Sequence, residues 1–317
     1  WTGTSPCQAL VADETMSDGP ARRPSVVSEK TGWIVRGVFE AKLWKARLVN
    51  ALGAERAAQI LPSYQPGHLL IVPPGAESNG LNLDAVAALS AGAEAIVWLG
   101  DADSGSNNWA VSGSRTASGK PLLAGDPHRA LDTPNVYYQN QIACPEFDAI
   151  GLSFPGCPGF PHFGHNKHVA WCVTHAAADY QDLYVERFNQ GAPDLYEHKG
   201  EWLEADVRHE VVEVRGEKPA ELEVTVTEHG PIIAGDPASG RAIALKYTGI
   251  AGPNATFECL PPMLRAASAD EIEAATREWV DPCNNFVFAD VHGNIGYLMR
   301  GRLPVRSMAN AWLPVPG

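Results

Sequence analysis

The sequence predicts an α+β protein whose N-terminal third is helical and whose remaining two-thirds are rich in strands. Three observations carry this. Phe39, Leu43 and Ala46 recur at helical spacing within the segment Gly32 to Leu61. After Ser106 the texture changes to short apolar runs bounded by Gly, several alternating with polar residues. One helix signal interrupts those runs: Ser268 with Glu271 three residues on, a capping box ahead of "IEAATREWV".

Residues 1–30 are polar and irregular. Their opening, "WTGTSPCQALVADETMSDGP", has neither the basic start nor the long apolar centre of a signal peptide, and no initiator Met. Gly53 is a helix stop, and "AERAAQIL" restarts the helix before Pro62. "PPGAESNG" is a loop, and "LDAVAALSAG" a short Ala-rich helix. Strands follow in "NWAVSG", "GKPLLAGD", "HVAWCVTHA" and "DLYVERF", and Leu222, Val224 and Val226 alternate in "ELEVTVTEHG". "FVFADVHGNIGYLM" is a hairpin turning at His292, Gly293 and Asn294.

The 317 residues are 45% hydrophobic and 19% charged, a globular profile. A net charge of −13 argues against nucleic acid or an anionic membrane surface as partner. No run approaches the ~18 apolar residues of a membrane-spanning helix. The six Cys contain no CxxC pair, which disfavours a structural zinc site, and their spacing proves no disulfide.

The chemistry centres on "DSGSNNWAV", Asp103 to Val111, directly after the apolar "AEAIVWLG". Its residue types suit a turn. They also suit a peptide bond made to be cut at Gly105-Ser106. A Ser becomes a nucleophile only beside a base. Cleavage before Ser106 would supply one on the same residue, an α-amine with an ordinary pKa of about 7.7–8.0. Gly105 would tolerate a strained backbone at the junction.

Several ordered segments decide between these readings. "GSNNWAVSGSRTASGKPLLAGDPH", "GLSFPGCPGFPHFGHNKHVAWCVTHAAADYQDLYVERF", "TEHGPII" and "NNFVFADVHGNIGYLMRGRLPVR" resemble the β-chain of the penicillin acylase family of N-terminal nucleophile hydrolases. "GVFEAKLWKARLVNALGAERAAQILPSY" resembles the later part of that family's α-chain. The resemblance implies a four-layer αββα sandwich, partial here. Residues 1–105 then belong to the α-chain region and spacer, and residues 106–317 to the strand-rich β-chain core. Family members are about twice this long, so the chain would open inside one region and stop inside the other.

The resemblance assigns roles. Ser106 matches the nucleophile, and Gly105-Ser106 the self-cleavage junction. His128 matches a position beside the nucleophile, where its ring would accept the Ser hydroxyl's hydrogen bond. Two donors stabilise the oxyanion: the backbone N–H of His175 and the side-chain amide of Asn285, with Asn284 the alternative if the register shifts by one. Arg306 matches an Arg that helps place that Asn. Arg129, Phe163 and Val173 match acyl-pocket positions, with Asp132 the competing partner for Arg129. Asp179 and Asp182, with the carbonyl of Gln181, match a structural Ca²⁺ site.

The implied substrate is a small N-acyl amide, its amine a β-lactam nucleus or a homoserine lactone. The implied assembly is an α/β heterodimer cut from one precursor, periplasmic or secreted, with no organic cofactor. Three other readings compete. One is a zinc site at His162, His165, His168 and His175; these His have a simpler place in the family's "FGHN" turn. A conventional triad at "DSGS" lacks matching His and Asp motifs. The third is a truncated acylase-like domain with a binding role alone.

Overall fold

The structure is a computed structural model. It describes residues 39, 42, 45–46, 48–60, 105–129, 135–176, 178–306 and 313–317. The expected loop and helix between residues 73 and 92, together with Leu43 and Asp132, lie outside the described residues. The described chain forms two compact units.

The first unit includes residues 99–178 and 252–302. Its six-stranded antiparallel sheet has the order β15-β14-β6-β5-β4-β3. The strands are β3 (Tyr138–Cys144), β4 (Phe147–Ser153), β5 (Phe163–Asn166), β6 (Val169–His175), β14 (Asn284–Asp290) and β15 (Ile295–Arg300). Side chains alternate between faces along each strand, and the two faces have different partners.

On one face, Val169, Trp171 and Val173 of β6 join Phe286 and Phe288 of β14. They pack against two helices, α2 (Leu260–Arg265) and α3 (Ala269–Ala275), through Leu260, Met263, Leu264 and Ile272. On the other face, Phe163, Cys172 and Val287 pack against Ala110 and Leu123. Those two belong to the hairpin of β1 (Gly105–Val111) and β2 (Leu122–His128). Gly125 of β2 permits this approach. A Cβ there would lie 2.7 Å from Cys172 Cβ and 2.9 Å from the Phe163 ring, closer than real contacts allow.

Caps and turns fix the helices and hairpins. Ser268 Oγ accepts from Glu271 N at 3.2 Å, the first half of the expected capping box. The Glu271 carboxylate reaches Ala267 N instead, at 2.8 Å. The helix stops at Ala275, short of the expected run through Val280. Helix α2 carries two Pro. They occupy its first turn, where no intrahelical N–H is needed. Asp290 holds the expected β14–β15 turn, accepting from His292 N at 2.9 Å and Asn294 N at 3.0 Å. Its other oxygen accepts from Ala269 N at 3.0 Å, tying the turn to the start of α3.

The second unit includes residues 35–98, 179–251 and 303–317. With β7 (Gln181–Asn189), β8 (Ala192–His198), β9 (Glu201–Glu204), β10 (Asp206–Val212), β11 (Ala220–Thr227), β12 (Gly230–Asp236) and β13 (Arg241–Tyr247), its sheet runs β10-β11-β12-β13-β7-β8-β9, and β16 (Val315–Pro316) lies beside β7. Strands β7 and β13 pair antiparallel through its middle, burying Leu183, Ile243 and Leu245. Residues 39, 42, 45, 46 and 48–52 are helical. Phe39 and Ala46 are buried, as their spacing predicts. Gly53 interrupts the helix at φ 79° before α1 (Ala54–Ile60). Cys144 is disulfide-bonded, while Cys172, Cys259 and Cys283 are free thiols.

Candidate active site

Ser106 is the second residue of β1, and its hydroxyl donates to the carbonyl of Gly105 at 2.6 Å. The Ser106 hydroxyl therefore touches the peptide group expected to be cut. Gly105 is not in the left-handed region, so the junction draws no strain from its φ. Its missing Cβ instead leaves room for His128, whose Nδ1 would lie 2.9 Å from such an atom.

Strand pairing decides which residues face the sheet. Gly105 lies opposite His128, Ser106 opposite Pro127, and Asn108 opposite Gly125. Residues directly opposite share a face. Ser106, Asn108, Ala110, Leu123, Gly125 and Pro127 thus face the six-stranded sheet. Gly105, Asn107, Asp126 and His128 lie on the outer face of the hairpin. The structure does not bring the His128 ring to the Ser106 hydroxyl. Its Nε2 lies 3.1 Å from Asp126 Oδ2 and 3.2 Å from Asn107 Nδ2. His128 therefore sits beside Gly105 rather than at the Ser106 hydroxyl, because consecutive residues of a strand point to opposite faces.

Asn108 links the hairpin to the strands that carry the expected oxyanion donors. Its amide donates to the backbone carbonyl of Asn285 at 3.1 Å and more distantly to that of Cys172 at 3.5 Å. The sequence reading places it at the start of the strand "NWAVSG" but gives it no role. The available signal was its position two residues after Ser106, on the same face of a strand.

Asn285 Nδ2 donates to Thr174 Oγ1 at 3.1 Å, and Tyr297 donates to Asn285 Oδ1 at 2.8 Å. These bonds fix which end of the amide presents N–H. Asn285 shares its face with Val287, on the hairpin side, whereas Asn284 shares the helix side with Phe286. Asn284 is nearly fully buried. Of the two Asn, the structure places Asn285 on the side of the Ser106 hairpin. His175 ends β6 opposite Asn284. Desolvation lowers the pKa of its ring, and the charge of Arg129 lowers it further.

Arg129 and Phe163 meet through Tyr137. Arg129 donates to the Tyr137 phenol, which lies edge-on to Phe163 at 5.4 Å between centroids. Burial raises the phenol's pKa, and the nearby guanidinium offsets part of that rise. Phe154 and His162 extend this aromatic wall, with Tyr137 Oη 3.1 Å from His162 Nδ1. Val173 does not join it. It is buried on the helix face, because it follows Cys172 by one residue. In the neighbouring "FGHN" turn, Asn166 accepts from His168 N and Val169 N, a structural role for that segment.

Arg306, Asp179, Gln181 and Asp182 belong to the second unit. Arg306 Nε lies 2.7 Å from Asp182 Oδ2, and its Nη2 lies 2.5 Å from Asp179 Oδ2. The partners that hold the Asn285 amide are Thr174 and Tyr297, the role expected of Arg306. Lys42 enters the same cluster. Its Nζ donates to Gln181 O at 2.5 Å and to Asp182 Oδ1 at 2.5 Å, and lies 2.9 Å from Asp179 Oδ1. These are the oxygens that the resemblance assigns to Ca²⁺. With each of them already facing a cation, the residues present do not fit a divalent ion. Among the described residues, no group of three or more His, Cys, Asp or Glu is arranged to hold a metal.

The antiparallel sheets and the Ser106 hairpin set over strands β6 and β14 mark an α+β domain with a candidate nucleophile site. The penicillin amidase family model matches residues 24–317, and the chain belongs to that family. It is 43% identical over 297 residues to penicillin acylase 2 proenzyme of Pseudomonas sp. (strain SE83), covering 92% of this chain and 38% of that protein. It is 36% identical over 220 residues to acyl-homoserine lactone acylase QuiP of Pseudomonas fluorescens (strain Pf0-1), covering 67% of this chain and 26% of that one. A solved thermostable penicillin G acylase from Alcaligenes faecalis aligns with TM-score 0.58 and 26% identity, over 64% of this chain and 36% of its own. The chain thus spans less than two-fifths of the length of these relatives.

Proposed function

We propose that this chain carries the nucleophile region of an acylase that frees its own catalytic Ser and then hydrolyses N-acyl amides. In the first reaction Ser106 Oγ attacks the carbonyl carbon of Gly105. The Gly105-Ser106 C–N bond breaks, an ester forms, and the displaced nitrogen keeps its hydrogen and takes up the hydroxyl proton as the α-amine of Ser106. Water hydrolyses the ester, leaving a carboxylate on Gly105 and a free hydroxyl on Ser106.

In the second reaction that amine takes the hydroxyl proton as Ser106 Oγ attacks a substrate amide. The His175 N–H and the Asn285 amide stabilise the oxyanion; one such donor contributes ~3–4 kcal/mol. The proton passes to the leaving amine, and water releases the acyl group from Ser106. Arg129, Tyr137 and Phe163 form one wall for the acyl group. The relatives' names favour a β-lactam or a homoserine lactone as the amine. The reading includes the complete four-layer αββα fold, an α/β heterodimer, and a periplasmic or secreted location.

The observation that carries the reading is the bond from Asn108 to the backbone of Asn285. It couples the nucleophile's strand to an oxyanion strand, with Ser106 on the same face. N-terminal sequencing of the purified full-length protein tests it. The expected second polypeptide begins Ser-Asn-Asn-Trp, and Ser106→Ala remains one chain. An active protein with an intact Gly105-Ser106 bond contradicts it.

A further inference from the structure

The ion cluster of the second unit serves a purpose that the reaction does not use. Lys42 has three N–H donors and faces three oxygens: Gln181 O, Asp182 Oδ1 and Asp179 Oδ1. Arg306 faces the other oxygens of both carboxylates. Lys42 and Arg306 balance the two carboxylates, and the nearby Lys45 adds further positive charge facing Asp179. Lys42 and Asp182 are almost fully buried, at 1% and 3% exposure. Gln181 is fully buried, and its side-chain oxygen accepts from Phe39 N at 3.3 Å on the helix that carries Lys42. Calcium takes six to eight oxygen ligands. Here the oxygens are already taken, and an added dication would leave the buried cluster with an uncompensated double charge.

We infer that the Lys42 ammonium occupies the place of a divalent ion and, after cleavage at Gly105-Ser106, clamps the first polypeptide to the second without metal. Lys42 lies before the cut. Asp179, Gln181, Asp182 and Arg306 lie after it. The clamping half rests on the processing reading; the metal-free half does not.

The test uses the full-length protein as wild type, Asp179→Asn and Lys42→Met. Bound calcium is measured by elemental analysis after dialysis. The urea midpoint, and the urea concentration at which the two polypeptides separate on size exclusion, are measured with Ca²⁺ and with EDTA. The inference expects equal calcium content in wild type and Asp179→Asn. It expects a wild-type midpoint that EDTA leaves unchanged, and chains that separate at lower urea in Lys42→Met. One equivalent of calcium present in wild type and lost in Asp179→Asn overturns it. So does a Lys42→Met protein as resistant as wild type. If Lys42→Met does not fold, the calcium comparison still decides the metal-free half. Failed processing would be seen separately, as a single uncut polypeptide whose calcium content and midpoint remain readable.

Discussion

The Ser106 site and the Lys42 cluster hold their polar groups in opposite ways. Around Ser106 the contacts are neutral: hydroxyl to carbonyl, amide to carbonyl, phenol to amide. Around Lys42 they are ionic, and both cations are matched by the buried Asp182 and the half-buried Asp179. The difference follows from what each must do. A nucleophile's hydroxyl has to change partners during a reaction, so it is held by bonds that are modest in net strength. A buried charge that loses its partner costs far more, so a matched cluster stays as built.

Substitutions can break that contrast, beginning where the effect is largest. Ser106→Ala is expected to abolish both processing and hydrolysis, read by gel mobility and by amine release. Asn285→Ala in the processed protein should lower kcat/KM for amide hydrolysis by ~10²–10³ with little change in thermal midpoint. Asn284→Ala should instead show its effect in stability, because that side chain is buried on the helix face. A rate loss confined to Asn284→Ala would move the oxyanion role to that residue.

Asn108→Ala should lower kcat by about fivefold with KM nearly unchanged, since one positioning hydrogen bond contributes on the order of 1 kcal/mol. An equal loss of stability with unchanged kcat would make it purely structural.

Asp290 sharpens the contrast from the side of stability. Burial alone would raise its pKa, but hydrogen bonds from Asn294, Ala269 and His292 more than offset that and set it below 3.8. The stabilisation is present above the ordinary carboxylate pKa and is lost as pH falls through the lowered folded value. Asp290→Ala should therefore cost ~1–3 kcal/mol at neutral pH. The gap from wild type should narrow in acid, as measured by urea unfolding across pH.

Much of this was legible in the residues. The strand calls for β6, β7, β11 and the β14–β15 hairpin rested on alternation or on β-branched and aromatic content, and the structure has strands there. Strand β10 (Asp206–Val212) was silent, because all its residues are exposed and no face had to be apolar. Ser106 and Asn285 could be named from motifs as candidates, and the structure puts both on the facing sides of the hairpin and the six-stranded sheet. His128 and Val173 could not be aimed correctly, because motif spacing does not give strand register and one residue decides the face. Lys42 had a signal that went unused. It lies three residues after Phe39 and four before Ala46, a charge within the apolar stripe, and such a position calls for a buried partner.

The most direct measurement is covalent capture of the nucleophile. The processed full-length protein is treated with a sulfonyl fluoride, which labels activated Ser hydroxyls, and the adduct is located by peptide mass mapping. The expected result is one adduct on Ser106, at the first residue of the second polypeptide, formed in step with loss of amide hydrolysis. An adduct on another residue that tracks the loss of activity, with Ser106 unmodified, would contradict the assignment of Ser106 as the nucleophile.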